Sequence, residues 1–170
     1  KSRTISDTIN VNIASFTKAI FNTTPANGYA FNGAQTLVDG IVGGTTNYRT
    51  GRWIGFVGND CDVVIDFGYE HSISEVSFNC CVFQCDGVVD AAGVDIYGST
   101  DGKEFSLIAS EDYSEITKEL EFGTPKHTVK FDAELVRYLN VIIKSHKELP
   151  SWHAFAGAQA FVFVDEITVN

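Results

Sequence analysis

The sequence predicts an all-β fold, a sandwich or a barrel, and three observations carry that prediction. Short runs of β-branched and aromatic residues recur along the chain, Gly, Asn and Asp break them at close intervals, and no long amphipathic helix competes. Reading forward, the expected strands are Ile9 to Ala14, Ala19 to Phe21, Asp62 to Phe67, Ile73 to Phe83 and Val94 to Gly98. They continue with Phe105 to Ala109, His127 to Phe131, Tyr138 to Lys144 and Ala160 to Val169. YGSTDGKEF places Asp101-Gly102 at a hairpin position between two of them, because Gly takes the left-handed backbone that tight turns demand. In the strand from Tyr138, Leu139, Val141 and Ile143 alternate with Tyr138, Asn140 and Ile142, so one face is apolar and the other mixed.

A chain of 170 residues suits one domain, 1–170, able to bury roughly 70% of its unfolded surface without staples. No repeat, low-complexity tract or linker divides it, and residues 1–33, rich in Asn and Thr, carry the weakest strand signal. With 44% hydrophobic and 20% charged residues the composition is that of a globular domain, not of a disordered one. The formal charge of -10, from 22 acids against 12 bases, argues against nucleic acid or an anionic membrane, which call for a basic footprint. Neutral ligands and cations remain. No apolar run is long enough to insert across a bilayer. Lys1 opens no basic and apolar leader, so the sequence is expected to start after an export signal or to be a piece of a longer chain.

Cys61, Cys80, Cys81 and Cys85 fall within 25 positions, without a CxxC pair. Zinc spacing is therefore poor, and adjacent Cys80 and Cys81 face opposite ways in a strand. Buried small apolar side chains, with at most one disulfide, are expected, and no cysteine chemistry. His71 and His127 read as turn and strand-edge residues without a discernible partner.

The last strand, FVFVDEITVN, poses a problem. Side chains alternate between faces, so one of Asp165 and Glu166 must point toward a core, where a bare carboxylate is costly unless paired, protonated or bound to metal. A partner is offered by TLVDGIVGGTTNY, in which Asp39 precedes Gly40, Gly43, Gly44 and two threonines. Such a loop turns sharply and presents backbone carbonyls with a carboxylate and a hydroxyl, the oxygen-rich surroundings calcium favours. The other reading is a plain Asp-Gly turn with the terminal acid bonded to backbone amides.

TLVDGI, GRWIGF, DVVIDFG, VDIYGSTDGKEF, VRYLNVIIK and FVFVDEITVN, taken in that order, resemble the successive signatures of the discoidin family. That family includes the C domains of coagulation factors five and eight and the family 32 carbohydrate-binding modules, and the resemblance covers roughly residues 34–170. It implies a jelly-roll-like β-sandwich, galactose-binding-domain-like, of about eight strands. A narrower similarity, carried by PSWHAFAGAQAFVFVDEI, is to the C-terminal module of bacterial family 20 β-hexosaminidases (chitobiases). It implies an exported bacterial protein, periplasmic or at the cell surface or outside the cell.

The resemblance also implies a structural Ca2+ in the Asp-Gly loop. Matched by position, its carboxylates are Asp39 and Glu166, with backbone oxygens from Thr36, Ile41, Gly44 or Thr45, and Asp165. The family commonly has Asn or Asp two residues after the first Asp and Thr five after it; this chain has Ile41 and Gly44, so a hydroxyl ligand would slip to Thr45. Sugars present C-H faces to exposed aromatic rings and hydroxyls to planar polar groups. The family binds with loops at one end of the sandwich, and the candidates here are Tyr48, Arg49 and Arg52 in NYRTGRW and Trp152, His153 and Phe155 in PSWHAF. Trp53 is expected to be structural.

Family 20 hydrolases use an adjacent Asp-Glu pair, yet DEI here sits in an apolar strand of a small β domain. No Ser-His-Asp order, phosphate loop or zinc motif accompanies it, so catalysis by this chain is not expected. The expected function is a non-catalytic carbohydrate-binding module, with a glycan and the catalytic domain of a parent glycoside hydrolase as partners. The rival is a spacer that packs on that catalytic domain and binds no sugar.

Overall fold

A computed structural model describes residues 11–170. Its elements are β1 (Lys18–Phe21), a 3-10 helix (Gly33–Val38), β2 (Ile54–Val57), β3 (Cys61–Phe83), a 3-10 turn (Gln84–Asp86), β4 (Gly93–Ser99), β5 (Ser106–Asp112), β6 (Phe122–Gly123), β7 (Lys126–Lys144) and β8 (Phe161–Val169). Every pairing between these strands is antiparallel, in the order β2-β8-β3-β7-β4-β5, with β1 and β6 added on β3.

Two long strands make this one sheet into two layers. β3 and β7 pair along most of their length, with register shifts between Asp66 and His71 and between Ile73 and Glu75. Residues 61–66 of β3 join β1, the C-terminal half of β7, β4 and β5; beyond the shifts, residues 76–83 join β8, β2, β6 and the N-terminal part of β7. The expected all-β sandwich is found. Four of the expected strands thus belong to two continuous ones: a sequence read for alternation breaks where the strand bends, at Gly68 to Glu70 and near Asp132 to Leu135. Of the expected first strand, residues 9 and 10 lie outside the described residues. Residues 11 and 12 are irregular and 13–16 form a turn instead, at whose entry Asn12 Oδ1 accepts from Ala14 N at 2.9 Å and Val169 N at 3.1 Å. β2 and β6 were not expected as strands; they are short, and β2 contains Gly55.

The layers enclose Ile54, Val63, Phe78, Leu139, Val141 and Val164, all fully buried. The second layer is also covered on its outer face, by Tyr48, Trp53, Cys81, Val88 and Phe163. Both faces of β8 are therefore inside, which is why FVFV has no polar alternation. Burying a ring such as Phe163 contributes roughly 1.5–3 kcal/mol. Gly55 leaves it room, since a Cβ there would lie 2.5 Å from the ring. Cys80 belongs to the inner cluster and Cys81 to the outer one, as adjacent strand residues must. All four cysteines are free, so the allowance for a disulfide falls away. Asp101 and Gly102 form the expected hairpin turn: Gly102 has φ 73°, and Asp101 Oδ1 accepts from Lys103 N at 2.8 Å and Glu104 N at 3.0 Å.

Candidate functional site

The Asp-Glu pair in β8 breaks the rule that neighbours in a strand diverge. Ser77 pairs with Thr168 and Asn79 with Asp165, so Phe78 alone faces both Glu166 and Ile167. This one-residue bulge is made by Glu166 itself, whose φ of 30° lies in the left-handed region that a side chain rarely occupies. Both carboxylates sit inside the protein, Asp165 at 0% and Glu166 at 1% exposure. The expectation that only one would point inward is corrected: both faces of this strand are covered, and the bulge, lying between inner-facing Val164 and Ile167, puts both acids on the same, outer-layer side. Such backbone strain costs on the order of 1–3 kcal/mol and persists where the surroundings over-determine it.

The 3-10 helix Gly33–Val38 packs on β8 and delivers the loop that follows it. Gly40 and Gly44 have φ of 78° and 66°, turning the chain back on itself, and Ile41 N donates to Asp39 Oδ1 at 2.8 Å. Gly43 N donates to Asp165 Oδ2, tying loop to strand across 122 positions. Trp53, 1% exposed, donates from Nε1 to Thr45 O at 3.1 Å and fills the space beside Gly43. Thr45 is exposed, and its hydroxyl accepts from Asn47 N at 3.3 Å.

Four side-chain oxygens near this junction are buried without a hydrogen-bond partner: Thr36 Oγ1, Asp165 Oδ1 and both Oε1 and Oε2 of Glu166. Burial first, and then the charges of Asp39 and Asp165, push the Glu166 carboxyl up to about 8. Burial likewise pushes Asp165 up to about 7, against the opposing Gly43 N–H and the weaker influence of Arg52, which is half-buried. The charge of Asp39 acts on both, which places the three acids in one neighbourhood. Carboxylate and hydroxyl oxygens without partners are donors of the kind that a hard divalent cation takes. Thr36, in the helix that packs on β8, has its hydroxyl buried without a partner, whereas the sequence offered only its backbone oxygen. A Thr inside a short helix carries no signal for which of its oxygens is used.

The two loops expected to face a sugar meet at one 3-10 turn. Arg49 Nη2 donates to Asp86 Oδ2 at 3.1 Å and Tyr48 Oη to the same oxygen at 2.6 Å, while His153 Nε2 lies 2.7 Å from Gln84 O. Their members nonetheless divide. The Tyr48 ring is 5% exposed and packs against Tyr29, Phe83 and Phe163, and burial raises its hydroxyl to about 12. His153 is buried too, and its Nδ1 accepts from Phe155 N at 3.0 Å, which shapes the loop. Neither ring is free to stack on a ligand. Trp152 at 37% and Phe155 at 56% exposure do face outward, as does Arg49. Trp152 borders a cavity of about 320 Å³ with Phe122, Glu121, Gln84 and Cys85, and Lys118 Nζ lies 5.6 Å from its ring centroid. On the other side of the turn, Phe31, Tyr29, Asn27 and Arg49 border a second cavity of about 360 Å³. Phe31, Phe122 and Asp86 were missed. Phe31 falls in the weakest part of the sequence pattern, and Phe122 stands beside residues that read as a charged loop.

No family model matches the chain, and no curated protein matches it in sequence. Solved structures do match in fold. The module CpGH89CBM32-6 produced by Clostridium perfringens superposes with a TM-score of 0.55 at 17% identity, covering 94% of this chain and 98% of that one. The lectin domain of lectinolysin, complexed with Lewis B antigen, gives 0.57 at 15% identity over 96% and 98%. Chitosan-binding module 1, derived from a chitosanase/glucanase from Paenibacillus sp. IK-5, gives 0.56 at 12% identity over 95% and 99%. No helix among the described residues is long and apolar enough to cross a membrane. The chain has the discoidin-like β-sandwich fold found in the family 32 carbohydrate-binding modules.

Proposed function

We propose that this chain is a non-catalytic carbohydrate-binding module whose rim around Gln84–Asp86 holds a saccharide. One observation carries the reading: loops about a hundred residues apart are fastened to a single turn, which sets exposed Trp152 in a cavity with Phe122, Gln84 and Glu121, so that aromatic faces and hydrogen-bonding groups border the same space. An apolar sugar face and its hydroxyls need that pairing of surfaces. The fold neighbours support it, being carbohydrate-binding modules and a lectin domain by their own descriptions.

The module's role beside a catalytic domain is to raise the effective concentration of glycan, and it adds no chemistry. A parent glycoside hydrolase, exported by a bacterium, follows from the sequence resemblance. A neighbour derived from a chitosanase/glucanase is in keeping with it; the chitobiase likeness rests on PSWHAFAGAQAFVFVDEI alone.

Calcium belongs to the same proposal as a structural ion. Asp39, Asp165, Glu166 and the Thr36 hydroxyl would hold it, and its charge would satisfy the buried oxygens that now lack partners. Its service is to pin the loop after Asp39 to the last strand.

Calorimetric titration with N-acetylglucosamine, galactose and their oligomers tests the reading. A dissociation constant between millimolar and micromolar, roughly -4 to -8 kcal/mol, is expected. Trp152→Ala should abolish the heat while leaving the melting temperature within a few degrees of the parent. No heat with any of these sugars, in a folded protein, would favour the spacer.

A further inference from the structure

Away from that rim and from the oxygen pocket, a sulfur, a carboxylate oxygen and an imidazole nitrogen converge. The ligand atoms of Cys80, Asp90 and His127 all lie within 4.8 Å of one another. The sheet puts two of them there. His127 of β7 pairs with Phe78 of β3, and Cys80 is two positions further along, so the thiol and the imidazole are diagonal neighbours on one face. Asp90 comes from the segment leading into β4, where Ala92 N donates to Lys144 O at 2.8 Å and Ala91 N to Asp90 Oδ1 at 2.8 Å.

The cluster is held firmly. His127 Nε2 lies 2.7 Å from Asp90 Oδ1, and the Tyr113 ring stacks on the imidazole with centroids 4.1 Å apart and planes at 16°. The Tyr113 hydroxyl is buried and has no hydrogen-bond partner. Cys80 is fully buried, and burial, followed by the charge of Asp90, keeps its thiol protonated in the metal-free protein. Asp90, His127 and Tyr113 also line a cavity of about 370 Å³ whose walls include His146 and Glu115.

We propose that Cys80, Asp90 and His127 form a binding site for a borderline-soft divalent metal ion, Zn2+ foremost, with a fourth position open to this cavity. Sulfur, nitrogen and oxygen at this separation are the donors zinc takes, and three protein ligands with one vacant direction is the pattern of open zinc sites. The oxygen pocket around Asp39 offers neither sulfur nor nitrogen, so the two sites select different ions. An Asp-His contact alone would account for the 2.7 Å approach. With the buried thiol turned toward Asp90 as well, that contact is the metal-free alternative, and cobalt titration separates the two.

Cobalt(II) titration of the chelator-treated chain is the test, because a thiolate ligand gives a near-ultraviolet charge-transfer band and a four-coordinate site gives intense visible bands. One equivalent should saturate both, and Zn2+ should displace the cobalt. Cys80→Ser should remove the charge-transfer band, and His127→Ala and Asp90→Asn should each weaken binding by at least about tenfold, since even indirect partners of a site matter that much. Near-ultraviolet circular dichroism identifies which variants are folded, and the three substitutions are read only from those. Cys85→Ser, at the exposed thiol, and Glu166→Gln, in the oxygen pocket, should leave the bands in place. Absence of bands and of retained zinc in the parent chain overturns the proposal. So do bands that survive Cys80→Ser or disappear with Cys85→Ser.

Discussion

Gly43→Ala puts the fastening between loop and strand under direct strain. A Cβ at this position would lie 2.5 Å from Trp53 Cε2 and 2.8 Å from both Cζ2 and Nε1. The ring cannot step aside cheaply: it is 1% exposed and its Nε1 is committed to Thr45 O at 3.1 Å. Overpacking of this kind costs about 1–3 kcal/mol, and losing the indole hydrogen bond adds about 1 kcal/mol, giving roughly 2–4 kcal/mol together. For a chain of this size that is a fall in melting temperature of roughly 4–16 °C. Gly43 N is also the donor to Asp165, so the substitution should shrink the stabilisation given by calcium as well as the stability itself. Differential scanning calorimetry in calcium and in chelator reads both. A variant as stable as its parent, with an unchanged calcium response, would refute the claim that Trp53 and Gly43 hold the pocket together.

Calcium at about a hundred times its dissociation constant should stabilise the fold by about 2.7 kcal/mol, and Asp39→Ala or Glu166→Gln should abolish that gain, as followed by thermal melts. In chelator the folded carboxyls of Asp165 and Glu166 stand at about 7 and about 8, above their unfolded values, so the folded state binds more protons. Stability should then fall as pH rises from about 4 toward 8, and urea titrations along that range should show it; a flat profile in chelator would contradict the burial assigned to these groups. Of the four thiols, Cys85 alone is exposed, so a thiol reagent should label one rapidly in the native protein and four in denaturant; burial raises Cys81 to about 12 and keeps it inert.

The fold was legible because its signals are local. Asp101-Gly102 announces a hairpin, and the alternation of Leu139, Val141 and Ile143 marks one buried face, without reference to anything distant. That Asp39 and Glu166 share a neighbourhood was legible for a different reason: a carboxylate in an apolar strand demands compensation, and few segments offer it. What the sequence could not display is geometry that breaks its own period. The bulge at Glu166 puts two adjacent acids on one face where alternation would divide them, and no residue type at that position advertises a left-handed backbone. Tyr48 illustrates a second limit. Beside Arg49 it reads as a sugar platform, but Tyr29, Phe83 and Phe163 enclose its ring, and those contacts come from three separate parts of the chain. Cys80, Asp90 and His127 have no motif spacing at all, being assembled by strand register and one connecting segment, and the expectation that His127 lacked a partner failed accordingly.

On the proposed reading, the rim around Gln84–Asp86 recognises saccharides on a frame fixed by calcium. A glycan-array screen of the chain, run in calcium and repeated in chelator, tests it most directly. Retention of one or more glycans in calcium, weakened by chelation, is the predicted result. A folded protein that retains no glycan in either condition would contradict it.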